Sequence, residues 1–132
     1  MNREIEFYGR RLDNGGWLYG DLMHDDQGGC YIYPLDAENL YVQNKVDPDT
    51  VGQFTGLCDK HGVKIFEGDI VRWNKDQKLY VVEFRSGMFY ASVEPCNPHI
   101  YGGFPLWFLC EDEQHCEIVG NRYDNPELLA TK

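Results

Sequence analysis

The side chains that first suggest a soft-metal site, or a nucleophile with its base, are Cys30, Cys58, Cys96, Cys110, Cys116, His61, His99 and His115. A structural zinc site usually draws on ligand pairs two to four residues apart, used twice. Here Cys110 and Cys116 have five residues between them. His115 adjoins Cys116, and on a strand neighbours point to opposite faces. The expectation is therefore buried thiols, surface histidines and no metal. The cysteine count is odd and no CxxC occurs, which argues against a disulfide framework.

Nucleophilic catalysis finds no better footing. The serines are Ser86 and Ser92, neither in a Gly-x-Ser-x-Gly setting. Cys58 near the His61 turn is the nearest approach to a thiol–base pair, and a core thiol beside a solvent turn is the simpler reading. Glu67 with Asp69, and Glu111 with Asp112 and Glu113, suit strand ends and a solvated loop. Asp47, Asp49 and Gly52 imitate the start of a calcium loop, but Val51 and Cys58 stand where oxygen ligands are needed. No phosphate-binding glycine pattern is present. The chain reads as a non-enzyme without a cofactor.

Binding is better served. Tyr80, Phe84, Phe89, Tyr90, Tyr101, Phe104, Trp107 and Phe108 are many aromatics for one small domain. Most belong in the core or in cross-strand pairs. Those between Pro98 and Trp107 are the candidates for an exposed patch, with Tyr101, Phe104 and Trp107 as its interaction surface. The same surface would also serve self-association.

The elements that position these residues read as antiparallel strands. Glu4 to Arg11 and Trp17 to Leu22 flank the turn Asp13-Asn14-Gly15-Gly16, and Cys30 to Leu35 adds a third strand. Leu40 to Val42 is a short strand candidate, and Asp47 to Thr50 a turn. Gly52 to Leu57 is a strand broken by Gly56, where the missing Cβ permits a bulge. Asp59-Lys60-His61-Gly62 forms a turn with Asp first and Gly last. Glu67-Gly68-Asp69 is a tight corner, with Gly68 at positive φ and the Asp69 carboxylate on a backbone amide. Ile70 to Trp73, Lys78 to Phe84 and Met88 to Val93 make a meander. Glu94 to Gly103 reads as loop, and Leu106 to Leu109 and Cys116 to Val119 as strands. Asn125 caps a terminal helical turn with Pro126 in first position.

The chain has 132 residues, enough for one domain with a modest core. Apolar residues make up 42% and aromatics 14%, a profile that favours strands. The net charge is −10, which disfavours a duplex-DNA binder; Arg10-Arg11 with Arg3 is the one basic cluster. No apolar run approaches the roughly 20 residues of a membrane span. The opening MNREIEFYGRR is charged and unlike a signal peptide, so the expected place is the cytoplasm.

The segments REIEFYGRRLDNGGWLYGDL, DPDTVGQFTGLCDKHGVKIFEGDIV and CEIVGNRYDNPELL together resemble the YopX family of bacteriophage and prophage proteins. That resemblance implies a mainly β fold with an SH3-like barrel or roll in the C-terminal part. It divides the chain into an N-terminal meander, 1–51, packed on a C-terminal domain, 52–132. Gly52, Gly56, Asp59, Gly62, Glu67, Gly68 and Asp69 carry the shared central motif, read here as architectural. The resemblance implies a phage accessory protein in a bacterial host. The reading that follows is a protein-binding module with a phage or host partner. Single-stranded nucleic acid is the alternative.

Overall fold

Strands here are set by two-residue alternation, and their ends by residues that accept positive φ or cap backbone amides. The structure, a computed structural model, describes residues 3–34, 44–93, 102–111 and 115–129. They form two antiparallel sheets and no closed barrel. The chain divides into two compact units, 1–54 and 55–132.

The first unit holds β1 (Phe7–Arg10), β2 (Trp17–His24), β3 (Cys30–Tyr33), β4 (Lys45–Val46) and the start of β5 (Gly52–Cys58). They lie side by side in the order β4-β3-β2-β1-β5. The β1–β2 turn is locked locally: Gly16 N–H donates to Asn14 Oδ1 at 2.9 Å, and Arg11 N–H to the Gly16 carbonyl at 2.7 Å. Ile32, Val46 and Cys30 form a small core with Phe7, Leu18, Leu22 and Val51 packed on it. Asp47 caps a 3-10 turn, Pro48–Thr50, by accepting the Asp49 N–H. The Leu40–Val42 strand candidate lies outside the described residues.

In the second unit β6 (Lys64–Phe66) lies beside the latter half of β5, and Thr55 Oγ1 donates to the Ile65 carbonyl. The corner after β6 has Gly68 at φ +99°, and Asp69 Oδ2 accepts the Phe66 N–H at 2.8 Å. There the chain turns into β7 (Asp69–Trp73), followed by β8 (Leu79–Arg85) and β9 (Met88–Ser92). Ser86 and Gly87, both at positive φ, make the two-residue β8–β9 turn, and Arg85 pairs with Met88. With β10 (Gly103–Pro105) and β11 (Cys116–Asn121) the order is β10-β9-β8-β7-β11.

Two elements differ from the sequence reading. Leu106–Leu109 is a single helical turn, α1, where a strand is predicted. Leu-Trp-Phe-Leu has no alternation, and a turn places Leu106 and Leu109, three residues apart, together on the buried side. Gly103, read as the last residue of a loop, instead opens the short edge strand 103–105 against β9. Gly103 is required there, because a Cβ would lie 2.0 Å from the Ala91 carbonyl oxygen. The C-terminal turn Pro126–Leu128 forms as expected, but Asn125 does not cap it; its Oδ1 accepts the Asn121 N–H at 3.1 Å.

Candidate functional site

Pro105, with φ −54°, ends β10 and opens α1. The turn buries Leu106 and Leu109 in a core made with Ile65, Val71, Trp73, Tyr80, Val82, Ala91 and Cys116. Its other two residues face outward: Trp107 is 51% exposed and Phe108 38%. They meet edge to face at 5.9 Å. Phe108 stacks on Phe104 at 5.4 Å, and both rings approach Trp73, at 5.7 and 5.1 Å. The result is an aromatic cluster rooted in the core and open to solvent at Trp107. Phe84 and Met88 are also exposed, and Phe84 packs edge to face on Phe89 across the β8–β9 pair.

Of the three residues proposed from sequence, two are described, and of these Trp107 is exposed. Phe104 is half-buried, between Trp73, Tyr80 and Phe108. Tyr101 lies outside the described residues. Phe108 also belongs to the exposed surface, and the sequence alone places it only among the general aromatic content. Its signal was the uninterrupted apolar run that cannot bury every side chain.

The central motif is held together by Asp59. Its Oδ1 accepts the N–H groups of His61 at 2.9 Å and Val63 at 3.0 Å, and its Oδ2 accepts that of Ile118 in β11 at 3.1 Å. Burial works to raise its pKa, but these backbone donors outweigh it and hold the carboxyl below the usual range. Gly62 closes the turn at φ +81°. His61 Nε2 lies 3.8 Å from Glu117 Oε2, and Cys58 is exposed rather than the core thiol expected from the sequence. Asp69 is committed to the β6–β7 corner. Two members of the basic cluster are likewise engaged: Arg11 grips Asp13 through Nε and Nη2, and Arg10 lies over the Trp17 ring.

The spacing argument against a metal ligand set does not survive the geometry. Cys110, His115 and Cys116 bring their ligand atoms within 4.8 Å of one another. The two sulfurs are 3.9 Å apart, within reach of a weak S–H···S hydrogen bond. His115 precedes the first residue of β11, so strand alternation does not separate it from Cys116. Accepting that hydrogen bond holds the Cys110 thiol below its ordinary pKa, and donating it, together with burial, raises that of Cys116.

No helix among the described residues is long and apolar enough to cross a membrane. The sequence profile of a family described as YopX protein matches residues 16–130. No curated protein matches the chain. Among solved structures it is similar to the crystal structure of protein EF1440 from Enterococcus faecalis, with a TM-score of 0.60 and 21% identity. The similarity covers 97% of this chain and 99% of that one, and at this identity it speaks for the fold alone.

Proposed function

The chain belongs to the YopX family, and from that premise we propose that it is a non-enzymatic phage accessory protein that binds a protein partner in the bacterial cytoplasm. The observation that carries this reading is the pair Trp107 and Phe108, adjacent, exposed and anchored on a buried aromatic base. Trp is the residue most enriched among interface hot spots, because it buries a large rigid area at small entropic cost. Leu106 and Leu109 fix the turn from beneath, so the surface is preformed.

The partner's chemistry follows from charge. The aromatic turn runs in sequence directly into Glu111-Asp112-Glu113, and the whole chain carries −10. A complementary surface has an apolar pocket for the Trp107 indole, bordered by basic side chains. The small β scaffold, SH3-like in the family's expected form, serves to present this turn. Single-stranded nucleic acid stacking on the same rings is the competing use. The net negative charge, with Arg10 and Arg11 engaged elsewhere, weighs against it.

Two titrations on the same protein separate these readings. Immobilised wild-type chain and W107S/F108S are incubated with bacterial extract, and labelled single- and double-stranded oligonucleotides are followed by fluorescence anisotropy across salt. The reading predicts a protein retained by wild type, released by salt and absent from the double variant, with oligonucleotides unbound. Salt-dependent oligonucleotide binding that W107S/F108S removes would replace it with the nucleic-acid reading.

A further inference from the structure

The cluster of Cys110, His115 and Cys116 is independent of the aromatic surface's use and has the stereochemistry of a metal site. A tetrahedral zinc ion binds thiolate sulfur at about 2.3 Å, so two ligating sulfurs lie about 3.8 Å apart. Cys110 and Cys116 Sγ stand at 3.9 Å. A disulfide requires about 2.05 Å, so the pair already has the metal separation and not the covalent one. His115 completes the set within 4.8 Å.

Each ligand is held by the fold. Cys116 is buried, begins β11 and pairs with Trp73 of β7. Cys110 ends α1, its N–H on the Trp107 carbonyl at 3.1 Å. His115 Nδ1 lies 3.0 Å from the Cys116 N–H and 3.4 Å from the Cys116 carbonyl. As it stands Nδ1 accepts the Cys116 N–H, so ligation through Nε2 moves the ring proton to Nδ1 and exchanges that bond for one to the Cys116 carbonyl, the backbone support that metal-bound imidazoles commonly have.

We propose that Cys110, His115 and Cys116 bind a thiophilic divalent ion of the zinc class, with three protein ligands and the remaining tetrahedral position taken by water. Two sulfurs and one imidazole select zinc, cobalt and similar ions over magnesium or calcium, which prefer oxygen. Binding displaces the two thiol protons to solvent, and the ion joins the end of α1 to the start of β11. Cys58 is exposed and stands outside the cluster.

The test is a titration of the reduced, chelator-treated full chain with Co2+, followed by displacement with Zn2+. The expected result is a thiolate-to-cobalt charge-transfer band and tetrahedral d–d bands. Both saturate at one ion per chain and disappear on adding Zn2+. C110S and H115A each weaken Co2+ binding by at least about tenfold, while C58S leaves it unchanged. Circular dichroism checks that C110S is folded; should it unfold, H115A decides alone. Absence of the charge-transfer band at stoichiometric cobalt would overturn the proposal, as would a band untouched by C110S and H115A or one lost in C58S.

Discussion

Asp59 joins, through one carboxylate, backbone donors from its own turn and from β11, which lies 59 residues further along the chain. Replacing it tests whether the central motif is architectural. Asp59→Asn keeps the shape but turns an NH2 toward a backbone N–H, which should cost about 1–3 kcal/mol. Its pKa is lower in the folded chain than the ordinary 3.8, so its contribution is complete above that value. It is lost as pH falls through the folded pKa. Acid unfolding followed by fluorescence should therefore show a shallower acid limb in Asp59→Asn than in wild type. An identical limb would mean that another group governs it. Gly68 and Asp69 make the same point at the next corner. Gly68→Val, forced to φ +99°, should cost about 1–3 kcal/mol through backbone strain. Asp69→Ala leaves the Phe66 N–H buried without its acceptor, a loss of similar size. Urea midpoints for both variants check this, and wild-type midpoints would refute it.

At the scale of elements, the strands were legible wherever alternation and turn chemistry agreed. Asn14-Gly15, Ser86-Gly87 and Gly68-Asp69 each mark a strand end that the structure places within a residue or two. Legibility failed where side-chain pattern and backbone role part company. Leu106–Leu109 looks β-compatible by composition, yet only a turn buries both leucines at once. Gly103 closes a stretch of loop composition yet begins an edge strand, where a glycine beside the partner backbone and a following proline are tolerated. The Cys110–His115–Cys116 cluster was hidden by counting residues along the chain, because the approach of α1 to β11 is a tertiary fact. The amphipathic turn itself yields a contrast. Leu109→Ala should destabilise by about 2–5 kcal/mol as a fully buried truncation. Trp107→Ser, on the opposite side, should fall within about 0.5 kcal/mol of wild type. Equal losses in thermal unfolding would mean that α1 has no outward face.

For the molecule as a whole, the sequence carried the family and the mainly β class, and its aromatic content pointed to the region of the surface. It did not say which rings are core and which are exposed, since Trp73 and Trp107 are alike in composition and differ only in burial. The central claim is that Trp107 is kept for a partner and contributes little to the fold. Its most direct test measures two quantities on one variant, W107S: the thermal midpoint, and the amount of partner retained from bacterial extract relative to wild type. The account predicts a midpoint within about 3 °C of wild type together with loss of the retained partner. A midpoint that collapses, or a partner captured as well as by wild type, would contradict it.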